Sequence, residues 1–301
     1  MGKIADQLAV ALRERELLGA ARGLHSRAIA RGDHWSVEDV TCTFGPNDPS
    51  FEERHALYRI ALVGTGTFLC RSVHGRELMT PGSLMLGKPG ECFECGHEHG
   101  EGDRCLAFGY SPDYLDRLAA DAGVRGGLRL RRLRVPPQRA LAPAVAAACA
   151  AWADAAPTNS ADTWESLAVL MATSTVRIAA DPVRSPRAPL NAERGVARAV
   201  RLIDRDPRVA LTLQALAREA SLSPYHFLRT FARVTGVTPH QYLIRARLRR
   251  AAVRLATKDS RVIDVALDCG FRDVSTFNRA FRTEFGATPV EYRARARRRF
   301  Q

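Results

Sequence analysis

The sequence predicts an α+β protein in two parts: a β-rich N-terminal barrel or sandwich followed by helices, then an all-α region with two helix-turn-helix units. Three observations predict this. A segment near the C-terminus occurs twice, short apolar runs in the first half are punctuated by glycine and proline, and the excess of positive charge is confined to the last third.

The duplication is the sharpest of these. Phe227, Arg229, Phe231, Gly236, Thr238, Pro239 and Tyr242 return fifty residues later as Phe277, Arg279, Phe281, Gly286, Thr288, Pro289 and Tyr292. Seven identities in a sixteen-residue window mean one supersecondary unit used twice, because aromatics, turn glycine and closing Thr-Pro recur in step. With 301 residues, 46% hydrophobic and 26% charged, the chain is long enough for two separate cores, and its composition is that of a folded soluble protein.

Near the start, Ile4, Leu8 and Leu12 followed by Arg13-Glu14-Arg15-Glu16 predict a short amphipathic helix and not the apolar heart of a signal peptide. No run approaches about eighteen apolar residues, so no membrane span is expected and a cytoplasmic placement follows. Seven cysteines, an odd number, in a chain of this size without a secretory signal argue for reduced thiols over a disulfide framework.

From about Trp35 to Tyr110, runs such as Leu57–Val63, Thr67–Cys70 and Leu84–Leu86 lie between Gly64, Gly66, Gly75, Pro81, Gly82, Pro89 and Gly90, the punctuation of a small antiparallel barrel or sandwich. Inside this region stands Cys92-x2-Cys95-x-His97-x-His99-x5-Cys105. Thiolates and imidazoles are zinc donors, which makes Cys92, Cys95, His97, His99 and Cys105 metal candidates. Against a metal, Gly96, Gly100 and Gly102 suggest a flexible loop, the spacing matches no standard zinc motif, and Glu91, Glu94, Glu98, Glu101 and Asp103 can solvate the segment. The favoured expectation is a surface or dimer-contact loop without a cofactor. Cys42, Cys70, Cys149 and Cys269 read as small buried apolar residues.

Pro112–Ala122 and the Ala-rich stretch Pro137–Ala180 read as helices, the second broken near Ser160-Ala161-Asp162. Trp152 and Trp164 in this stretch predict a buried helix pair, within one chain or between two, and a homodimer is the expected assembly. Residues 181–190 hold Pro182, Pro186 and Pro189 and cannot continue a helix, so they divide a domain at 1–180 (β portion about 35–110, helices 112–180) from one at 191–301.

Charge follows that division. Residues 1–190 contain 22 Lys and Arg against 22 Asp and Glu, whereas 191–301 contain 23 against 10, so the whole net charge of +13 sits in the second domain. Such asymmetry implies that this domain meets a polyanion.

In the first unit, Leu213, Leu216 and Ala217 mark a short helix, Ser221-Leu222-Ser223 a turn, and Pro224–Val234 a second helix capped by Ser223. Phe227, Phe231 and Val234 fall on one face. Tyr225, His226, Arg229, Thr230 and Arg233 are left outward. The second unit runs Val262–Cys269, turns through Gly270-Phe271-Arg272-Asp273 and continues as Val274–Phe285, with Ser275, Thr276, Asn278, Arg279 and Arg282 outward. Arginine can fork to guanine and asparagine to adenine in a major groove, so both faces suit double-stranded DNA. Ser223, His226, Arg233, Arg250, Arg254, Arg272 and Arg282 are the phosphate-contact candidates. Between the units Tyr242–Ala256 alternates apolar residues with arginines. As a helix it spans roughly 22 Å, and with half of each flanking unit added the two reading helices are expected about 34 Å apart, one turn of B-DNA.

Ala217, Ser223, Arg229, Phe231, Gly236, Thr238-Pro239, Arg247-Leu248, Ala251, Ile263, Ala266, Gly270-Phe271, Phe277, Arg279, Phe281, Gly286, Thr288-Pro289 and Tyr292-Arg293 together resemble the DNA-binding domain of AraC/XylS-family transcription regulators. The resemblance covers about a hundred residues and implies a sequence-specific, non-enzymatic regulator with an N-terminal sensing or dimerising domain of cupin-like barrel type. It implies base contacts from Tyr225, Leu228 and Arg229, then Ser275, Asn278 and Arg279, with Thr276 beside them. Leu228 departs from the polar residue common at its position and suits a thymine methyl. RNA polymerase is the implied partner of an activator, and a small-molecule, redox or metal signal the implied effector. Thr80–Gly90 resembles the turn-strand-turn of cupin-type sensor domains. His97, His99 and Glu101 resemble a cupin metal motif only in part, because its later glycine and second histidine strand are missing. The alternative expectation is a metal- or thiol-dependent cupin enzyme, or a cysteine methyl acceptor, fused to the same DNA-binding domain.

Overall fold

A computed structural model describes residues 2–18, 23–98, 100–124, 130, 132–154, 160–179, 190–209 and 211–299. The expected interdomain segment 181–189 and His99 lie outside these residues. An N-terminal helix α1 (Gly2–Leu18) is followed by nine strands, β1 (Leu24–Arg31), β2 (Trp35–Cys42), β3 (Phe51–Arg54), β4 (Tyr58–Gly66), β5 (Phe68–Ser72), β6 (Gly75–Met79), β7 (Leu84–Gly87), β8 (Cys92–Gly96) and β9 (Asp103–Tyr110). Helix α2 (Pro112–Asp121), a short strand β10 (Arg134–Val135), α3 (Ala142–Asp154) and α4 (Ala161–Ala179) complete the first part.

The strands form two antiparallel sheets, in the order β1-β2-β9-β4-β7-β10 and β3-β8-β5-β6. This is the sandwich of the two shapes the punctuation allowed. The cupin-like barrel is not formed, because no strand of one sheet pairs with a strand of the other among the described residues. The chain changes sheet at Gly66, whose left-handed φ of 80° turns it from β4 into β5.

The large sheet is covered on both faces, which is why β9 is buried along its whole length. Alternation sends Leu106, Phe108 and Tyr110 toward α2, α3 and α4, and Cys105 and Ala107 toward the small sheet. Ile4 of α1 joins the helical side, as its apolar spacing predicts, and the Tyr110 hydroxyl donates to the Ala168 carbonyl at 2.7 Å. Trp152 and Trp164 are buried by their own chain, with the Arg104 guanidinium 4.7 Å from the Trp152 ring. They therefore close an interface within one molecule, the first of the two arrangements that the sequence left open.

The second part contains α5 (Leu190–Arg205), α6 (Leu213–Glu219), α7 (Pro224–Thr235), α8 (Pro239–Thr257), α9 (Val262–Asp268), α10 (Val274–Phe285) and α11 (Pro289–Arg299). Its boundaries match the expected helix-turn-helix units closely. The two parts share their cores: Leu69 and Leu78 of the small sheet pack with Phe227, Phe231 and Leu243, while Ala146 of α3 packs among Leu248, Phe277 and Phe281. No described helix is long and apolar enough to cross a membrane.

Candidate nucleic-acid interface

Both units are built by the same local code. Ser223 opens α7 by accepting from the His226 amide at 3.4 Å, with Pro224 at a position where no amide hydrogen is needed. Asp273 does the same for α10, accepting from the Thr276 amide at 2.7 Å. Gly236 and Gly286 end these helices in left-handed conformations of 81° and 69°. Thr238 with Gln241, and Thr288 with Glu291, form reciprocal capping boxes that start the next helices.

The repeat extends to the packing. Phe227 and Phe231 lie 5.3 Å apart with Tyr242 edge-on at 5.6 Å, and Phe277 and Phe281 lie 5.4 Å apart with Tyr292 edge-on at 5.3 Å. Burying these rings fixes which face of α7 and α10 turns outward. The units differ at the turn: Ala220–Ser223 separates α6 from α7, whereas Cys269–Asp273, one residue longer, separates α9 from α10. Ser221 and Gly270 occupy equivalent left-handed positions, at 56° and 89°.

On the outward faces, Tyr225 is 64% exposed and Leu228 39% exposed. Arg229 donates to the Tyr225 hydroxyl at 3.2 Å, so these two side chains form a single polar unit one turn apart. Ser275, Thr276, Asn278 and Arg279 are all exposed on α10. Of the phosphate candidates, Ser223, His226, Arg272 and Arg282 are exposed, and Arg233, Arg250 and Arg254 are half-buried. Arg254 is held by Asp268 at 2.6 Å.

Three arginines of α8 are held by neighbouring elements. Arg245 donates to the Pro137 carbonyl at 2.7 Å and pairs with Glu284 at 3.2 Å, and Arg247 donates to the Pro207 and Val209 carbonyls at 2.6 and 3.2 Å. Arg249 is buried against Gly82, which has φ of 86° and where any Cβ would strike the guanidinium. These three lock α8 to its surroundings. Nearby, the Tyr242 hydroxyl shares its one proton between the Pro81 carbonyl at 3.3 Å and Asp204 at 3.2 Å, and burial lifts the Asp204 carboxyl to about 7 against the pull of Arg249. Arg134 donates to the Val234 carbonyl at 2.6 Å, at the C-terminal end of α7, and Arg76 pairs with Glu193 at 3.1 Å. The N-terminal part thus grips the back of both units and leaves the outward faces of α7 and α10 in solvent.

Strands take up both ends of the Cys/His segment. Cys92–Gly96 is strand β8, and Cys105 lies in β9. A spacing of three on a strand puts Cys92 and Cys95 on opposite faces, so the two cannot chelate together. Cys92 is half-exposed and accepts from Arg54, whereas Cys95, His97 and Cys105 are buried and line a cavity of about 130 Å³ between the sheets, with Cys42, Glu53, His55 and Asp103. Cys42 and Asp103 were not singled out as ligands. Only the pairing of β2 with β9, which sets Cys42 opposite Asp103, brings them to His97. Burial, then the charge of Asp103, pushes the Cys42 and Cys105 thiols up, and a hydrogen bond with Cys70, then burial, pushes up Cys95. Raised, enclosed thiols are poor nucleophiles, which disfavours a methyl acceptor at these three positions.

The family model described as "Helix-turn-helix domain" matches residues 216–295. Over 85 residues, 28% of this chain and 79% of the relative, the sequence is 38% identical to regulatory protein SoxS of Salmonella typhimurium (strain LT2). It is 38% identical over 91 residues, 30% of this chain and 32% of the relative, to the RCS-specific HTH-type transcriptional activator RclR of Escherichia coli (strain K12). The DNA-binding domain of AdpA, solved with a target DNA, is 34% identical over 35% of this chain and 95% of that one, with a TM-score of 0.34.

Proposed function

The chain belongs to the AraC/XylS family of transcription regulators, and from that premise we propose that one molecule reads two adjacent major grooves of its operator. Helix α7 presents Tyr225, Leu228 and Arg229 to one box, and α10 presents Ser275, Thr276, Asn278 and Arg279 to the next. The supporting observation is that the outward faces of α7 and α10 are both exposed on one continuous scaffold, joined by α8, whose Arg245, Arg247 and Arg254 are tied to neighbouring elements. Nineteen helical residues in α8 extend about 28 Å, which suits two helices one DNA turn apart.

The N-terminal sandwich is the signal-receiving part in this reading. It reaches both units through Arg134, Gly82 and Ala146, so a change between its sheets biases how α7 and α10 are held. RNA polymerase is the further partner if the regulator activates, and a homodimer is the assembly that would pair two such readers. Selection of genomic fragments bound by the purified protein tests the reading. It should enrich a bipartite motif whose boxes are about 10.5 base pairs apart; enrichment of a lone box, or of none, would refute it.

A further inference from the structure

The interior of the sandwich holds a group of donors that the packing of an apolar core does not call for. Cys42 at the end of β2, His97 just after β8 and Asp103 at the start of β9 are 1%, 3% and 5% exposed. His97 Nε2 lies 2.6 Å from Asp103 Oδ1, and Cys42 Sγ lies 3.9 Å from His97 Nδ1. One sulfur, one nitrogen and one carboxylate oxygen lie within 4.8 Å of one another. Cys105 Sγ donates to the other Asp103 oxygen at 3.2 Å, and the shared cavity of about 130 Å³ adjoins them all.

Asp103 holds the Nε2 side of the ring, which turns Nδ1 toward the Cys42 sulfur. Orientation of an imidazole by a carboxylate on its far nitrogen is the arrangement that supports a metal-binding histidine. The 3.9 Å between sulfur and nitrogen is within a few tenths of an ångström of the separation of about 3.5 Å that tetrahedral zinc bonds of about 2.3 and 2.0 Å impose.

We propose that Cys42 Sγ and His97 Nδ1 bind one thiophilic divalent cation of the zinc type, with Asp103 orienting the ring from Nε2 and the remaining coordination positions open to the cavity. Binding replaces the Cys42 S–H bond with a sulfur–metal bond and releases that proton to solvent; no electron is transferred. The set differs from a cupin HxH motif, since it draws Cys42 and Asp103 from β2 and β9 and leaves Glu101 exposed. Resting on the proposed role of the sandwich as receiver, the site assigns the signal to a class: the cation itself, or an anionic ligand completing its coordination.

The test uses the full chain, stripped with a chelator and titrated with Co²⁺ and then Zn²⁺ in the absence of DNA. The expected result is one Co²⁺ per chain with thiolate-to-cobalt charge-transfer absorption, displaced by Zn²⁺. Cys42→Ser and His97→Gln remove that absorption, Asp103→Asn weakens binding about 10–100-fold, and Cys92→Ser, on the other face of β8, changes nothing. Because a buried substitution can unfold the sandwich, the wild type supplies a second readout, a Tm that rises with Zn²⁺ concentration by mass action. A wild type without the absorption and without the Tm rise overturns the site, as does absorption that survives Cys42→Ser and His97→Gln. Gel shifts of the same metal-free and loaded samples separate the two readings: failure to bind any selected site in either form strikes the DNA reading and leaves the metal result standing.

Discussion

Replacing Arg279 by alanine separates reading from folding. Arg279 is exposed on α10 and makes no side-chain hydrogen bond among the described residues. Its loss should leave stability within about 0.5 kcal/mol of wild type, as for surface positions in general. A forked contact to guanine is worth about 1–3 kcal/mol, which corresponds to an affinity loss of about five- to 150-fold. Arg229→Ala should cost a similar amount at the other box, and somewhat more where Tyr225 loses the partner that holds it at 3.2 Å. Fluorescence anisotropy at one fixed salt concentration, on the selected operator and on a shuffled sequence, reads the difference. Losses should appear on the operator and not on shuffled DNA, each confined to its own box. Equal losses on both DNAs, or no loss at all with the fold intact, would refute the assignment of these residues to base contacts.

Arg282→Ala should instead weaken operator and shuffled DNA alike and reduce the slope of log affinity against log salt by about 1, since a phosphate contact carries no sequence information; a titration from low to physiological salt reads it. Phe281, fully buried between Phe277, Phe285 and Tyr292, should cost about 3–5 kcal/mol in urea unfolding when cut to alanine. Asp204 gives a pH signature. Its folded carboxyl is raised from 3.8 to about 7, so the folded state holds the extra proton, and stability is lost as pH rises through about 7. Asp204→Asn removes that loss, and urea unfolding at about pH 5 and about pH 8 should show the variant gaining on wild type at the higher pH; a pH-independent difference would contradict it.

The C-terminal part was legible because its signals are local. Ser223-Pro224, Thr238-Pro239, Asp273 and the glycines at 236 and 286 each start or stop a helix through their own backbone, and the paired aromatics fix the buried face. The sandwich was less legible because its organisation depends on pairing between distant strands. Strand β1 is an edge strand, mostly exposed and without regular alternation, so nothing in its composition announces it. Glycines around the Cys/His segment suggest a loop, although β8 is held straight by β3 and β5 on either side. Arg249 stands in the sequence among the other arginines of α8 with nothing local to mark it as buried, and the close approach of Gly82 from another part of the chain is not visible there. Charge counted along the sequence identified the right domain but not which arginines stay free to meet DNA.

Hydroxyl-radical footprinting of the purified protein on a selected operator tests the two-groove reading most directly. Two protected patches about 10.5 base pairs apart on one face of the duplex, the first lost in Arg229→Ala and the second in Arg279→Ala, are the predicted result. A single patch from the wild-type protein, or two patches that weaken together in either variant, would contradict it.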